Sequence, residues 1–288
     1  MLRSFLNFNS VSAFIRFSDV SDRSFEIRLS SSGETPVNSL CRCRLPTHGT
    51  LAEGPATALR ANATIQRRNG VGSAEMQQLA DDLWQLSGFP RHAVNVYVMG
   101  DALVDAGMRW DRRRILKQVG DRGLTTHVLT HAHLDHYGAS KAVCETLGIP
   151  LWCGTADVEA VEAGKMVRQG GKLVPAAPAV PVARGLREGD EVAGFTVLDT
   201  PGHSPGHVCY WRESDRTLIC GDVMFGWHPF LMRGPVREPF ESFSADPQRN
   251  RESARRIAAL EPALVCFGHG PPLRDPAKLA EAVAQLPR

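Results

Sequence analysis

Three histidines and one aspartate fall within six consecutive positions of the chain: His131, His133, Asp135 and His136. Buried at the end of a strand, four such groups would each cost free energy on desolvation unless something satisfied them, and a divalent cation does so. His131 and His133 are two residues apart and project the same way from extended backbone. Asp135 and His136 lie beyond them, around the turn. One short segment can therefore face two adjacent ions.

Three later segments each place a metal-ligand type of residue beside glycine at the end of a predicted strand. They are Thr-Pro-Gly-His ending at His203, Cys-Gly-Asp ending at Asp222, and Gly-His-Gly around His269. Glycine allows a sharp turn or a close approach of the backbone. Since layered α/β proteins usually place their sites at strand ends, the four segments predict one shared metal centre.

This order of residues, H-x-H-x-D-H followed by a lone His, an Asp and a last His, resembles the metallo-β-lactamase superfamily over roughly residues 95–272. The resemblance implies a four-layer αβ/βα sandwich with the site at one edge of two facing sheets. It also implies two ligand groups with Asp222 bridging them. The first ligand group is His131, His133 and His203, and the second ligand group is Asp135, His136 and His269. Asp105 matches an early Asp-x-Gly of the family and would orient a ligand histidine.

Such a centre implies hydrolytic chemistry. Two divalent ions can share a water and lower its pKa toward ~7, which supplies hydroxide at neutral pH without a serine or cysteine nucleophile. Asp135 and Asp222 would be the catalytic carboxylates that position this nucleophile. Imidazole and carboxylate ligands favour Zn²⁺, with iron or manganese also admissible. We expect a small acyl compound as substrate, namely a carboxylic ester, a thioester or a lactone.

The branches of the superfamily fit unequally. A carboxylate at Asp222 argues against penicillin hydrolysis, because metallo-β-lactamases proper usually lack one there. Glyoxalase II-like thioesterases share all seven ligands but append a long helical glutathione-binding region after the last histidine, where 19 residues follow here (288 − 269). Quorum-quenching lactonases place a tyrosine where this chain has Phe225. An iron-dependent persulfide dioxygenase and a non-catalytic binding module on the same scaffold remain the alternatives.

Other polar residues near these segments are weaker candidates for a functional role. His228, Arg233 and Arg237 follow Asp222 in a loop with Pro and Gly, and could contact an acidic acyl group. Solvated loop charges are the other interpretation of the two arginines. His207 is expected to support its loop rather than to bind metal.

Hydrophobic periodicity places these motifs on alternating strands and helices, the pattern of a layered α/β protein. We predict strands at 96–105, 127–130, 149–153, 191–199, 208–211, 217–220 and 263–267. We predict helices at 110–119, 139–147, 156–165, 246–260 and 275–286. Gly170 to Pro181 is expected to be a surface loop. Residues 1–75 lack such periodicity and predict a disordered or non-functional extension, or alternatively a transit peptide, ahead of a hydrolase domain at 76–288.

Composition limits the remaining possibilities. The chain has 288 residues, of which 43% are hydrophobic and 22% charged, enough for one substantial core. Its formal net charge of +2 gives no reason to expect a nucleic-acid partner or an anionic membrane. Seven cysteines without the spacing of a disulfide scaffold indicate reduced thiols and a cytoplasmic location, with organellar import as the alternative. Nothing in the sequence indicates an oligomeric state.

Overall fold

The computed structural model describes residues 5–8, 11–17, 25–31, 41–42 and 76–287. The chain divides into two compact units, residues 1–68 and 69–288. In the first unit, four antiparallel strands form a sheet in the order β1-β2-β3-β4, with bounds Phe5–Phe8, Val11–Phe17, Phe25–Ser31 and Cys41–Arg42. Most of residues 1–75 lie outside the described ranges. The interpretation of that region as a disordered or non-functional extension therefore stays a prediction.

The second unit alternates short strands and helices. Its strands are β5 (Gln77–Ala80), β6 (Leu83–Gln85), β7 (Tyr97–Met99), β8 (Ala102–Val104), β9 (Thr126–Val128), β10 (Leu151–Gly154), β11 (Lys165–Arg168), β12 (Lys172–Pro175), β13 (Val182–Leu186), β14 (Glu191–Val192), β15 (Phe195–Asp199), β16 (Val208–Arg212), β17 (Thr217–Gly221) and β18 (Leu264–Phe267). Its helices are α1 (Arg112–Val119), α2 (Leu134–Tyr137), α3 (Ser140–Leu147), α4 (Val158–Glu162), α5 (Pro247–Ala258) and α6 (Pro276–Ala284). Within the described residues, no helix combines the length and apolar character needed to cross a membrane.

These strands form two large mixed sheets and one hairpin. The seven-stranded sheet has the order β13-β10-β9-β8-β7-β6-β5, with β8, β9, β10 and β13 parallel. The five-stranded sheet has the order β14-β15-β16-β17-β18, with β17 and β18 parallel. Strands β11 and β12 pair with each other as an antiparallel hairpin.

The apolar side chains build four layers by alternating along the strands. On β17, Ile219 faces a core cluster shared by the two sheets, whereas Leu218 and Cys220 face the cluster with helices α5 and α6. On β7, Tyr97 faces the shared cluster and Val98 packs in the cluster with α1 and α3. Because successive strand residues point to opposite faces, each sheet is covered by its partner sheet on one side and by helices on the other. The predicted αβ/βα sandwich is confirmed.

Several elements differ from the sequence-based expectation. The single strand predicted at 96–105 is the hairpin β7-β8, because Gly100 turns the chain with φ of +57°. The strand predicted at 191–199 is likewise interrupted, at Ala193 and Gly194, which also have positive φ. The helix predicted at 156–165 ends at Glu162. Lys165, the last residue of the predicted helix, is instead the first residue of β11. The partner of β11 is β12, which lies inside the segment that was expected to be a loop.

Candidate metal centre

The ends of six strands meet at one edge of the two facing sheets. From the seven-stranded sheet, β8 ends before Asp105, β9 ends before the segment 131–136, and β10 ends before Asp157. From the five-stranded sheet, β15, β17 and β18 run in one direction and end before His203, Asp222 and His269. Parallel strands end at the same edge, so all seven sequence-predicted metal ligands come together.

Asp222 lies at the middle of the cluster. Its Oδ2 atom lies 3.3 Å from Nε2 of both His203 and His269, and 3.4 Å and 3.7 Å from Nε2 of His136 and His131. One carboxylate oxygen is thus within reach of two imidazoles of each ligand group. This is the position that a carboxylate shared by two ions would need.

The two ligand groups are each compact. In the first group one ligand atom from each histidine lies within 4.8 Å of the others, and the same holds for the second group. In the second group, Asp135 Oδ2 lies 3.2 Å from His269 Nε2, and His136 Nε2 lies 3.4 Å from His269 Nε2. His131, His136 and Asp222 form a further group of the same size that spans both.

In three of the ligand histidines, one ring nitrogen makes a hydrogen bond to the surrounding protein, which leaves the other nitrogen to face the centre. Nδ1 lies 2.8 Å from Asp105 Oδ2 in His136 and 3.2 Å from Ser244 Oγ in His203, and Nδ1 of His269 donates to the carbonyl oxygen of Ala93. Each of these rings therefore offers Nε2. A ligand histidine is normally fixed in this way by a hydrogen bond from its other nitrogen.

His133 is turned the other way. Its Nε2 lies 3.3 Å from the carbonyl oxygen of Val167 on β11, so Nδ1 is the nitrogen left for a metal. The hairpin β11-β12, which the sequence did not predict, thus supplies the contact that orients one ligand. The choice between the two nitrogens could not be read from the sequence, because it depends on a strand 34 residues away.

Asp105 orients two ligands at once. It accepts hydrogen bonds from the Thr130 amide (2.8 Å), the Thr130 hydroxyl (2.8 Å) and His136 Nδ1 (2.8 Å). Since the Thr130 hydroxyl donates to Asp105, it can only accept from His131 Nδ1, 3.0 Å away, which leaves Nε2 of His131 for a metal. Asp105 has φ of +60°, in the left-handed region that residues with a side chain rarely adopt.

The residues present fit a pair of cations. Among the described residues, the buried atoms His131 Nε2, His203 Nε2 and Asp222 Oδ1 have no hydrogen-bond partner, a costly state that metal coordination would relieve. Gly268 makes the space: a Cβ there would lie 2.0 Å from Asp222 Oδ1 and 2.7 Å from His136 Cε1. Lone pairs without partners and a backbone that cannot carry a side chain both indicate a metal site.

Burial sets the protonation state of His131 and His133. Burial, together with the neighbouring imidazole of His203, lowers the pKa of His133 to about 3. Burial and the nearby His136 hold the pKa of His131 well below its usual value. Both rings are therefore neutral at pH 7, which is the form that donates a lone pair to a metal.

The opposite balance holds in the second ligand group. Burial alone would lower the pKa of His269, but the carboxylates of Asp222 and Asp135 outweigh it and raise that pKa to about 10. Burial also lowers the pKa of His136, but the carboxylates of Asp222 and Asp105 outweigh it and raise that pKa well above its usual value. The imidazoles of His269 and His136 in turn hold the pKa of Asp222 well below its usual value, against the effect of burial. Without a metal, protons on these rings carry the positive charge that the carboxylates require.

Asp157 is a buried residue that sequence reasoning missed. Its Oδ2 accepts hydrogen bonds from the Ala132 amide (2.9 Å) and the Ser204 hydroxyl (2.5 Å), and its Oδ1 accepts one from the Gly206 amide (2.8 Å). Ala132 lies between two ligands, and Ser204 follows His203. The carboxylate therefore ties together the two loops that carry the first ligand group. Its place three residues after a strand-ending glycine was the available signal.

Asp157→Asn is expected to weaken metal binding by about 10- to 100-fold with the fold retained. An amide has one acceptor oxygen, so at least one of the three donors loses its partner and the two loops separate slightly. Competition against a chromogenic chelator measures the affinity, and circular dichroism checks the fold. Asp121→Asn, at an exposed position, is the matched control. Equal affinity in the two variants would contradict the role of Asp157.

His207 uses both ring nitrogens within the protein. Nε2 accepts from the Asp222 amide at 3.1 Å, and Nδ1 lies 2.9 Å from the Thr200 hydroxyl. No nitrogen is left for a metal, and the ring instead fixes the backbone of Asp222. The loop-supporting interpretation of His207 therefore agrees with its contacts.

The structure keeps the three residues expected to contact substrate outside the ligand cluster. His228 and Arg233 pair through their backbones, and the His228 ring lies against Phe240, with centroids 5.3 Å apart. The Arg237 guanidinium stacks 4.6 Å from the Phe240 ring centre. Phe225, where a tyrosine was considered, contacts His269 with ring centroids 4.9 Å apart. Contact of His228, Arg233 or Arg237 with a substrate stays a prediction.

Comparison with known proteins adds sequence evidence. The family model described as the metallo-beta-lactamase superfamily matches residues 90–269, more than half of the chain. A probable metallo-hydrolase of Bacillus subtilis, YflN, is 26% identical over 247 residues, covering 76% of this chain and 90% of that protein. A hydroxyacylglutathione hydrolase of Bdellovibrio bacteriovorus is 31% identical over 148 residues, covering 50% of this chain and 48% of that protein.

Solved structures with the same fold include the B3 metallo-beta-lactamase BLEG-1. It superposes with a TM-score of 0.54 at 27% identity, covering 69% of this chain and 96% of that one. The Thermus thermophilus protein TTHA1429, also of the metallo-beta-lactamase family, has a TM-score of 0.52 at 24% identity, with 72% and 80% covered. At 24% identity, the likeness to TTHA1429 supports the shared fold alone.

Proposed function

Because the chain belongs to the metallo-beta-lactamase superfamily, we propose that it is a two-metal hydrolase that cleaves a small carboxylic ester, thioester or lactone. The observation that carries this proposal is the position of Asp222 Oδ2, within 3.3 to 3.7 Å of imidazole nitrogens from both ligand groups. A carboxylate in that position suits two ions rather than one.

In this proposal the first ligand group would hold one ion, the second ligand group would hold the other, and Asp222 would be available to both. Two bound divalent ions would lower the pKa of a shared water and polarise the carbonyl under attack. Zinc suits a set of five imidazoles and two carboxylates without cysteine, and iron or manganese is compatible with it.

Two carboxylates of the protein, Asp222 and Asp135, would position the attacking water. Asp222 is buried, with 3% of its side chain exposed, and its amide is held by His207, so its carboxylate is a fixed acceptor. Asp135 has 30% of its side chain exposed and is the ligand that borders solvent. Asp135 is therefore the carboxylate that can accept a hydrogen bond from the attacking water and orient it. The fixed outer hydrogen bonds of Asp105, Ser244 and Val167 keep the ligand rings in place throughout.

The relatives support an acyl bond without specifying it. Hydroxyacylglutathione hydrolases are among the matched proteins, and a thioester is therefore one of the three bonds proposed. This chain covers about half of the length of those proteins, so their substrate is not transferred with the fold. Asp222 still argues against a β-lactam as the main substrate.

Protein loaded with zinc is expected to contain two metal ions per chain and to hydrolyse at least one of a panel of esters, thioesters and lactones. Dialysis against a chelator should abolish turnover, and added Zn²⁺ should restore it, because the proposed nucleophile forms only with metal present. Elemental analysis counts the metal, and proton release measures the hydrolysis.

Two results would reject the proposal. One is the absence of turnover for every bond class in protein shown to hold two ions. The other is one iron per chain with oxygen consumed in the presence of a glutathione persulfide, which would identify a dioxygenase instead. A β-lactam hydrolysed faster than every ester, thioester and lactone of the panel would reject the substrate class alone.

A further inference from the structure

A cluster of apolar residues with an exposed surface follows Asp222 in sequence. We define the aromatic patch as Phe230, Leu231, Met232, Phe240 and Phe243. Phe230, Leu231 and Met232 are 69%, 57% and 40% exposed, and they are three of the six large hydrophobic residues that are exposed in the described part of the chain. Isolated surface residues of this kind are common, but a contiguous group indicates a binding surface.

The aromatic patch is an ordered platform. The rings of Phe230 and Phe240 stack with centroids 5.6 Å apart and an angle of 20°, and Phe243 meets Phe240 edge-on at 5.8 Å. Guanidinium groups lie on two of these rings: Arg237 at 4.6 Å from the centre of Phe240, and Arg168 at 5.0 Å from the centre of Phe243. A surface held in this way loses little conformational entropy when a ligand covers it.

The patch is joined to the first ligand group on two sides. Phe243 precedes Ser244, whose hydroxyl lies 3.2 Å from Nδ1 of His203. Arg168, which covers Phe243, follows Val167, whose carbonyl oxygen lies 3.3 Å from Nε2 of His133. Phe243 of the aromatic patch and Arg168, which covers it, are therefore each adjacent in sequence to a residue that contacts a metal ligand.

Two of the three arginines beside the patch are engaged by the protein itself, and the exposed Arg233 alone does not form a cluster of cations for an acidic ligand. Arg237 stacks on Phe240 and also donates from Nε to the Glu238 carbonyl at 3.3 Å, and Arg168 donates to the Ser242 carbonyl at 3.2 Å. Both guanidinium groups are thus engaged on the rings that they cover. The open face that remains is apolar, which suits an alkyl chain better than a carboxylate.

We propose that the aromatic patch binds the apolar acyl chain of the substrate, so that the enzyme prefers esters, thioesters or lactones with a long alkyl acyl group over short or polar ones. This inference rests on the proposed function. In this proposal, an acyl chain whose carbonyl carbon lies at the metal centre extends past Ser244 toward Phe243, and then along Phe240 and Phe230. Each methylene buried on the platform adds affinity through the hydrophobic effect.

Straight-chain carboxylates from butanoate to decanoate serve as probes, since they resemble the acyl product and need no turnover to be measured. Calorimetric titration into the zinc-loaded protein is expected to show affinity rising by about two- to fourfold per methylene group. In Phe230→Ser and in Phe230→Ser/Leu231→Ser, decanoate should lose at least about tenfold in affinity while butanoate keeps its own. Because these side chains are exposed, the substitutions leave the core intact.

Trp110→Ser is the matched control, because Trp110 is also 69% exposed and lies before α1, outside the aromatic patch. It should keep the wild-type dependence on chain length. Affinity independent of chain length in the wild type, or the same dependence in the Phe230 variants, would overturn the proposal. A dimer that Phe230→Ser converts to monomer with the alkanoate series unchanged would identify a self-association surface instead. If the alkanoate series behaves as expected but no acyl bond is cleaved, the proposed function fails and the binding surface stands.

Discussion

Asp222→Asn is expected to lose most of its bound metal and to fall in kcat/KM by on the order of 10³- to 10⁴-fold, the range seen when one member of a catalytic unit is removed. Asp222 Oδ2 lies within 3.7 Å of four imidazole nitrogens, so its charge serves both ligand groups. Asparagine keeps the shape but removes the negative charge that two adjacent cations need. It also removes the carboxylate that contributes most to raising the pKa of His269 and the pKa of His136.

Elemental analysis of the purified variant and steady-state kinetics on a substrate found for the wild type are the measurements. Glu213→Gln removes one negative charge from an exposed turn and should behave as wild type. Full activity of the Asp222 variant, or two ions retained per chain at wild-type affinity, would contradict the assignment of a bridging carboxylate.

Gly268→Ala is expected to reduce kcat/KM by at least about 10²-fold, the effect of a 1 Å misplacement in a catalytic group. The new Cβ would lie 2.0 Å from Asp222 Oδ1, so the carboxylate or the backbone must move. The backbone is held in place, because the Gly268 amide donates to Gly221 O at 2.8 Å and its carbonyl accepts from Asn95 N at 2.8 Å. The strain therefore falls on Asp222.

Metal content, kinetics and thermal unfolding followed by circular dichroism separate a local effect from a global one. We expect folded protein with weakened metal binding. Gly88→Ala is the matched control, since its Cβ would meet its nearest neighbour, Val94 O, at an ordinary 3.4 Å. A Gly268 variant with normal kinetics would show that the carboxylate can be displaced without consequence, against the geometry described for the centre.

The periodicity of the sequence predicted a layered α/β protein and the segments that meet at one edge of it, and the resemblance to the metallo-β-lactamase superfamily supplied the αβ/βα sandwich. The signal was local in each case: a ligand-type residue beside glycine, directly after a strand, as at His203, Asp222 and His269. Strand ends of a layered fold converge by topology, so these local signals sum to a global prediction. The cytoplasmic location and the absence of nucleic-acid and membrane partners stay predictions.

The contacts that orient the ligands were not predictable in the same way. Which nitrogen of His133 faces the centre depends on β11, whose first residue, Lys165, was predicted to end a helix and whose partner strand was predicted to be a loop. Asp157 acts through Ser204 and Gly206, 47 and 49 residues further along the chain. Pairings over such distances depend on packing of the whole domain, which periodicity within a short window does not encode.

The metal ligands are divided between the two sheets. Four come from the segment 131–136 beside β9, and three follow strands of the five-stranded sheet. Ions bound across this division would cross-link the two halves of the sandwich without a covalent bond, since neither half alone offers a complete coordination shell. Separation of the halves would release the ions, and their binding free energy would therefore add to the free energy of unfolding of the whole domain. A metal centre at this edge would thus also couple the unfolding of one sheet to that of the other.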